Sequence, residues 1–228
     1  MIHFYKLRMQ GFSLVEMAVV LVILGLVMVA FISPLSMQHE IRNIEGTRAS
    51  LRQINEAIHG FVILNGRLPC PTTQPDPLDA TYGEEDCSFS GAEGFLPWKT
   101  LGVNATDEWG TPRRTATESW NGHWRYRRDA NFGTNALFQA NILSTSSSVF
   151  INALMVRNSS GVMLTSETER PIAIIYSTGR DLLPNGLNAE VDSSYESDVS
   201  SPVFDDVLIW ITRPSLVNRL VAAGRLTQ

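Results

Sequence analysis

Gly11-Phe12-Ser13-Leu14-Val15-Glu16, followed by sixteen residues from Met17 to Ile32, decides how this chain is read. Met17 to Ile32 holds no charged or strongly polar side chain. With Phe12 to Val15 the run is about 21 residues, enough to cross a hydrocarbon core of about 30 Å as a helix. Lys6 and Arg8 stand before it, which by the positive-inside rule puts the N-terminus in the cytoplasm and exports the chain beyond about Pro34. Glu16 is the anomaly, because a carboxylate near the end of a membrane helix costs on the order of 2–3 kcal/mol and needs a partner or a role. An ordinary secretory signal has an apolar region of about 7–15 residues with a small-residue cut site after it, whereas here the glycine precedes the run.

Residues 11–16, GFSLVE, resemble the processing signal of type IV prepilins and of the pseudopilins of type II secretion. In that family a membrane peptidase cuts after the glycine and methylates the new first residue. The resemblance implies cleavage between Gly11 and Phe12, N-methylation of Phe12, and an assembly role for Glu16. The physical logic agrees: a freed ammonium on Phe12 needs a counter-charge, and Glu16 lies one helical turn away or within reach of a neighbouring subunit's Phe12. The fold implied is α+β and type IV pilin-like, a long N-terminal helix packed on an antiparallel sheet. Its divisions are a leader at 1–11, a transmembrane segment at 12–35, an amphipathic half-helix at 36–66 and an exported globular domain at 67–228. The location implied is the bacterial inner membrane, single-pass with the C-terminal domain in the periplasm, and then a fibre. The partners implied are other pilin or pseudopilin subunits, prepilin peptidase, an inner-membrane assembly platform and the membrane itself.

Beyond the apolar run, Ile41, Ile44, Leu51, Ile54, Ile58, Phe61 and Val62 recur at steps of three, four or seven, one face of an amphipathic helix. Pro34 should kink that helix, and Gly66 and Pro69 should end it. Residues 67–123 are punctuated by Pro, Gly, Asp and Thr and read as a loop-rich excursion, with aromatic turns at 94–98 and 107–112. Strands are expected at 124–127, 149–156, 172–177 and 207–212, with a closing helix at 216–226. Cys70 and Cys87 are the only cysteines. An even count in an exported domain favours a disulfide, which would contribute about 3 kcal/mol in the chain-entropy model. The rival is a metal pair, but no further His or Cys stands at ligand spacing nearby.

Eighteen basic residues against 23 acidic ones give a net charge of −5, which argues against whole-surface attraction to nucleic acid or anionic lipid. Catalysis is not expected. No GxSxG, HExxH, P-loop or GxGxxG occurs, and the four histidines are scattered. Asp192, Glu196, Asp198, Asp205 and Asp206 crowd one stretch before the last strand, and hard oxygen ligands on a loop suit calcium. Ser177-Thr178-Gly179-Arg180-Asp181 and Phe204-Asp205-Asp206 resemble the frame of the calcium site in major pseudopilins, so calcium is the candidate ion. Arg113, Arg114, Trp120, Trp124, Arg125, Arg127 and Arg128 could stack on and neutralise a nucleic-acid strand. Alternation instead puts the aromatics and the arginines on opposite faces of a half-buried strand, so nucleic acid is not an expected partner. The function adopted is a structural, minor subunit of a type IV pilus or type II secretion pseudopilus. The alternative is a pilin-like adhesion or DNA-uptake receptor. A third class, a membrane-tethered periplasmic enzyme, would need a convergent polar pocket.

Overall fold

The computed structural model describes residues 11, 13–89, 91, 93–144, 154–190 and 192–226, with residues 29–37 and 168 described in backbone only. The chain divides into two compact units between Arg42 and Asn43, and one helix, α1 (Leu14–Asn65), contributes to both.

In the first unit the start of α1 is set by local chemistry. The Ser13 hydroxyl accepts the Val15 N–H at 3.3 Å, and Glu16 Oε2 accepts the Ser13 N–H at 2.9 Å. This Ser-x-x-Glu capping box satisfies donors that the first turn of a helix leaves open. The apolar side chains from Leu14 to Met28 are exposed. Among the described residues no helix is long and apolar enough to cross a membrane. The segment expected to do so, 12–35, includes Phe12 and the side chains of 29–35, which lie outside the described residues. At Pro34, where a kink is expected, the backbone of α1 continues as helix.

In the second unit α1 buries Thr47, Leu51, Ile54, Ile58 and Val62, at steps of three and four. Each large apolar side chain so buried contributes about 1.5–3 kcal/mol. Ile44 and Phe61, also expected on this face, are half-buried, while Ile41 belongs to the first unit and is exposed. The helix stops at Gly66, whose φ of +66° is the left-handed conformation that a C-terminal glycine supplies without strain.

The fold is α+β. Its main sheet is antiparallel, in the order β1 (Glu93–Phe95), β2 (Arg125–Arg128), β4 (Pro171–Ser177), β6 (Val207–Thr212). A separate parallel pair joins β3 (Met155–Arg157) to β5 (Ser194–Glu196). Short helices α2 (Trp98–Leu101) and α3 (Asn135–Asn141) lie in the connections, and α4 (Arg213–Ala222) follows β6 directly. Every residue of β4 is buried, because both its faces are covered. Ala173 and Ile175 share a core with Leu51, Ile54, Ile58 and Val62 of α1 and with Leu216 and Leu220 of α4. Ile174 and Tyr176 pack with Val156, Tyr195 and Leu208. A register shift between Pro171 and Ala173 puts Ile172 in the same cluster as Ala173, as a bulge permits.

β6 falls where the alternation placed it, and β4 begins one residue earlier. β2 is displaced by one, because Trp124 ends the preceding turn; Trp124 and Tyr126 are nevertheless both fully buried. Of the strand expected at 149–156, residues 149–153 lie outside the described residues, and only its end belongs to β3. The closing helix starts at Arg213 rather than 216, because the Thr212 hydroxyl accepts the Ser215 N–H and Pro214 suits the first turn.

Candidate functional site

The N-terminal segment carries the expected processing and assembly residues. Gly11 is exposed, and a Cβ added there would meet nothing within 4 Å among the described residues. Phe12 lies outside the described residues, and with it the pairing expected between its amino group and Glu16. Glu16 is exposed and engaged in the capping box with Ser13. The signal for that role is Ser-x-x-Glu itself, which the pairing with the ammonium overshadows.

The acidic loop is less convergent than its sequence suggests. Among the described residues no three carboxylates bring oxygens within 4.8 Å of one another. Asp198 turns to the Ser159 backbone N–H and hydroxyl. Asp192 accepts the Ser194 N–H, and its carbonyl takes the Arg127 guanidinium. Both are exposed and belong to local turns, not to a shared centre.

Asp205 and Asp206 are different. Asp205 Oδ2 accepts the N–H groups of Arg180 and Asp181 at 2.9 and 3.2 Å. Asp206 Oδ2 accepts the Asn185 N–H at 2.9 Å and Asn188 Nδ2 at 2.8 Å. The other oxygen of each, Oδ1, is buried without a partner among the described residues. Burial raises the pKa of both, that of Asp206 to about 7, and the charges of Asp205 and Asp181 add to the rise at Asp206. Glu196 is tied in through Asn188, whose amide bridges the Glu196 backbone to the Asp206 carboxylate. Its own Oε2 accepts the Leu187 N–H at 3.2 Å. Gly179, with φ of +62°, admits this approach; a Cβ there would lie 2.4 Å from the Asp205 carbonyl oxygen. Of the acids expected to gather here, Asp205 and Asp206 each keep a buried oxygen without a hydrogen bond among the described residues, whereas Asp192 and Asp198 are engaged in turns of their own.

The basic-aromatic cluster is turned inward. Trp120 stacks on Phe95 at 3.9 Å, and the Arg113 guanidinium lies 4.2 Å from the Trp120 ring. Arg113 and Trp124 are buried. Arg125 stacks on Phe95 and approaches Glu93, and Arg127 lies over Tyr195. Arg114 is exposed, and Arg125, Arg127 and Arg128 are half-buried.

His123, expected only as a scattered histidine, is buried beside Trp98 and Trp120 with Nε2 3.1 Å from the Tyr82 hydroxyl. His59, another of the scattered histidines, is also buried and bonds within its own helix to the Asn55 carbonyl. The Ser177 hydroxyl donates to Asp107 Oδ2 at 2.6 Å, a contact across 70 residues that sequence does not reveal. Asp107 Oδ1 accepts the N–H groups of Trp109 and Gly110, so this carboxylate fastens the 107–112 turn to the end of β4. Cys70 and Cys87 form a disulfide, with Cα atoms 5.1 Å apart. The joined sulfurs offer no thiolate to a metal.

Residues 6–32 match the family described as the prokaryotic N-terminal methylation motif, the prepilin-type signature of type IV pilins and pseudopilins. No curated protein and no solved structure matches the chain.

Proposed function

We propose that this chain is a structural, minor subunit of a type IV pilus or type II secretion pseudopilus. The observation that carries the reading is the methylation signature at 6–32, with Gly11 directly before a run whose one charge is Glu16. Prepilin peptidase would cut after Gly11 and methylate Phe12. The apolar part of α1, left exposed from Leu14 to Met28, would be covered first by lipid and then by the same helix of neighbouring subunits. On this reading residues 1–11 would be the leader, 12–35 would cross the inner membrane with the N-terminus in the cytoplasm, 36–66 would be the amphipathic half of the helix, and 67–228 would lie in the periplasm. An assembly platform would then draw the subunit into the fibre, with Glu16 matched to the Phe12 ammonium of a neighbour.

The test is intact-mass measurement of the protein from its native membrane. Loss of residues 1–11 with gain of one methyl group is expected. A chain starting at Met1, or cut after the apolar run, would overturn the reading. Gly11→Val should leave the precursor uncut while the fold is unchanged, since no described residue lies within 4 Å of a Cβ at that position.

Calcium is a second proposal, supported by the unpartnered Oδ1 atoms of Asp205 and Asp206. A bound cation would supply the charge that these oxygens lack, with Glu196 in support through Asn188. Asp192 and Asp198 would take no part.

A further inference from the structure

The two sulfurs of the disulfide stand in unlike surroundings. Cys70 is fully buried and Cys87 is exposed. Arg128 Nη1 lies 3.2 Å from Cys70 Sγ and Arg67 Nη1 lies 3.6 Å from it. Arg67 is neutralised by Glu85, to which it donates twice, at 2.7 and 2.8 Å. Among the described residues Arg128 has no carboxylate within ion-pair distance; it donates to the Gly133 carbonyl at 2.8 Å and to the sulfur. Glu85 Oε2, for its part, accepts the Cys70 N–H and lies 3.7 Å from Cys87 Sγ. The buried Tyr126 hydroxyl, the remaining titratable group at this place, donates to the Pro69 carbonyl. With the bond closed, Arg128 is therefore a half-buried cation with no ion pair of its own; burial lowers its pKa, and the more distant Glu85 charge, already paired with Arg67, offsets this only in part. A guanidinium does not give up its proton, so the missing element is a negative charge beside it.

We propose that Cys70–Cys87 is a directional thiol–disulfide exchange site, at which a dithiol partner attacks Cys87 and Cys70 leaves as a thiolate held by Arg128. In the first step the incoming thiolate forms a bond to Cys87 Sγ. The Cys70–Cys87 bond breaks and its electron pair stays on Cys70. In the second step the partner's other thiolate attacks its own bonded sulfur and releases Cys87 as a thiolate. The partner ends as a disulfide and this chain is reduced by two electrons. Run in reverse, the Cys70 thiolate is the nucleophile that closes the bond.

Two features favour this direction. A leaving thiol departs faster the lower its pKa, and a cation at hydrogen-bond distance lowers it. A cavity of 410 Å³, lined by Cys87 together with Thr72, Thr73, Glu84 and Asp86, opens beside the exposed sulfur. Glu84 is paired with Lys99, which leaves Asp86 to disfavour an anionic thiol there. With the bond closed neither sulfur is a thiolate, and the Arg128 guanidinium works against a cation, although Glu85 stands within 4.8 Å of both sulfurs.

The test uses the full chain in detergent with its disulfide intact. Brief exposure to cysteamine, rapid iodoacetamide quenching and peptide mapping should place cysteamine on Cys87 and the alkyl group on Cys70. Adducts on Cys70, adducts shared evenly, or no reaction under conditions that open oxidised glutathione would each overturn the proposal. The anionic mercaptoethanesulfonate should react several-fold more slowly than cysteamine; equal rates would remove Asp86 from the account and overturn the choice of partner. In equilibrium with dithiothreitol, Arg128→Gln should make the bond about tenfold harder to reduce, about 30 mV, and Arg128→Lys should restore most of this. If Arg128→Gln does not fold, the reduced unsubstituted chain decides. Alkylation of Cys70 should titrate below the ordinary thiol value of about 8.5, and a midpoint at or above it refutes the role of Arg128.

Discussion

His123 should make this protein lose stability in mild acid, by an amount that its surroundings fix. The imidazole is 1 % exposed among Trp98, Trp120 and Phe95, where solvent cannot stabilise a charge. Burial, with a smaller contribution from the Arg113 cation, moves its pKa from 6.5 down to about 4. Above about pH 6.5 the ring is neutral in both folded and unfolded chains, and this stability is fully present. Between 6.5 and 4 only the unfolded chain takes the proton, so stability falls as pH falls. At about 1.4 kcal/mol per pH unit the gap corresponds to about 3 kcal/mol in all, of which about 2 kcal/mol is lost between pH 7 and pH 4.5. His123→Phe keeps an aromatic ring in the cluster and removes the titration. Urea unfolding of the detergent-solubilised chain, followed by tryptophan fluorescence, reports on the second unit, where all five tryptophans lie. The comparison between chains at the two pH values cancels the other titrating groups, including Asp206, whose raised pKa acts in the opposite sense over much of this range. The unsubstituted chain should lose about 2 kcal/mol more than the variant. Equal losses would mean that the ring reaches water, and would refute the buried, neutral histidine.

Glu16→Gln keeps an acceptor for the capping box but removes the charge, so it should preserve the start of α1 and lower incorporation into sheared fibres; wild-type incorporation would eliminate the ammonium pairing. Gly179→Ala should lower stability by roughly 1–3 kcal/mol, measured by urea titration, because it forces a side chain into a left-handed conformation against the Asp205 carbonyl. Calcium at a hundredfold excess over its dissociation constant should stabilise the chain by about 2.7 kcal/mol relative to EDTA, and Asp206→Asn should abolish the rise. An unchanged melting midpoint would leave these acids as proton-binding groups only.

The features legible in the residues were those that depend on neighbours along the chain. The helical face from Leu51 to Val62, the stop at Gly66 and the strand 207–212 are local patterns whose period or turn chemistry survives folding. The cysteine pairing was legible because two cysteines admit one intrachain bond. β1 and β5 escaped because each is three residues long, too short to show alternation, and because β5 exists only through its partner β3. The acidic cluster misled for a related reason. Closeness in sequence placed Asp192 and Asp198 with Asp205 and Asp206, but turns of a few residues sent them to Ser194 and Ser159 instead. No reading along the chain would have joined Asp107 to Ser177, or Arg128 to Cys70, across 70 and 58 residues.

With β3 and β5 set aside, neighbours in the main sheet are successive strands of the chain: β1, β2, β4, β6. The segments between β2 and β4 and between β4 and β6 are thus departures from a simple meander, and they hold each other through a ladder of three residue pairs. Such a layout separates what must stay constant from what is free to change. The meander shares one core with α1 and α4, to which the first departure adds Phe132, Phe138 and Ile142, while Tyr195 and Val156 cover the other side of β4. Lengthening or exchanging the parts of the departures around β3 and β5 would cost the roof and spare the core. Evolution could therefore remodel the cover over that side of β4 while the core on its other side kept its packing.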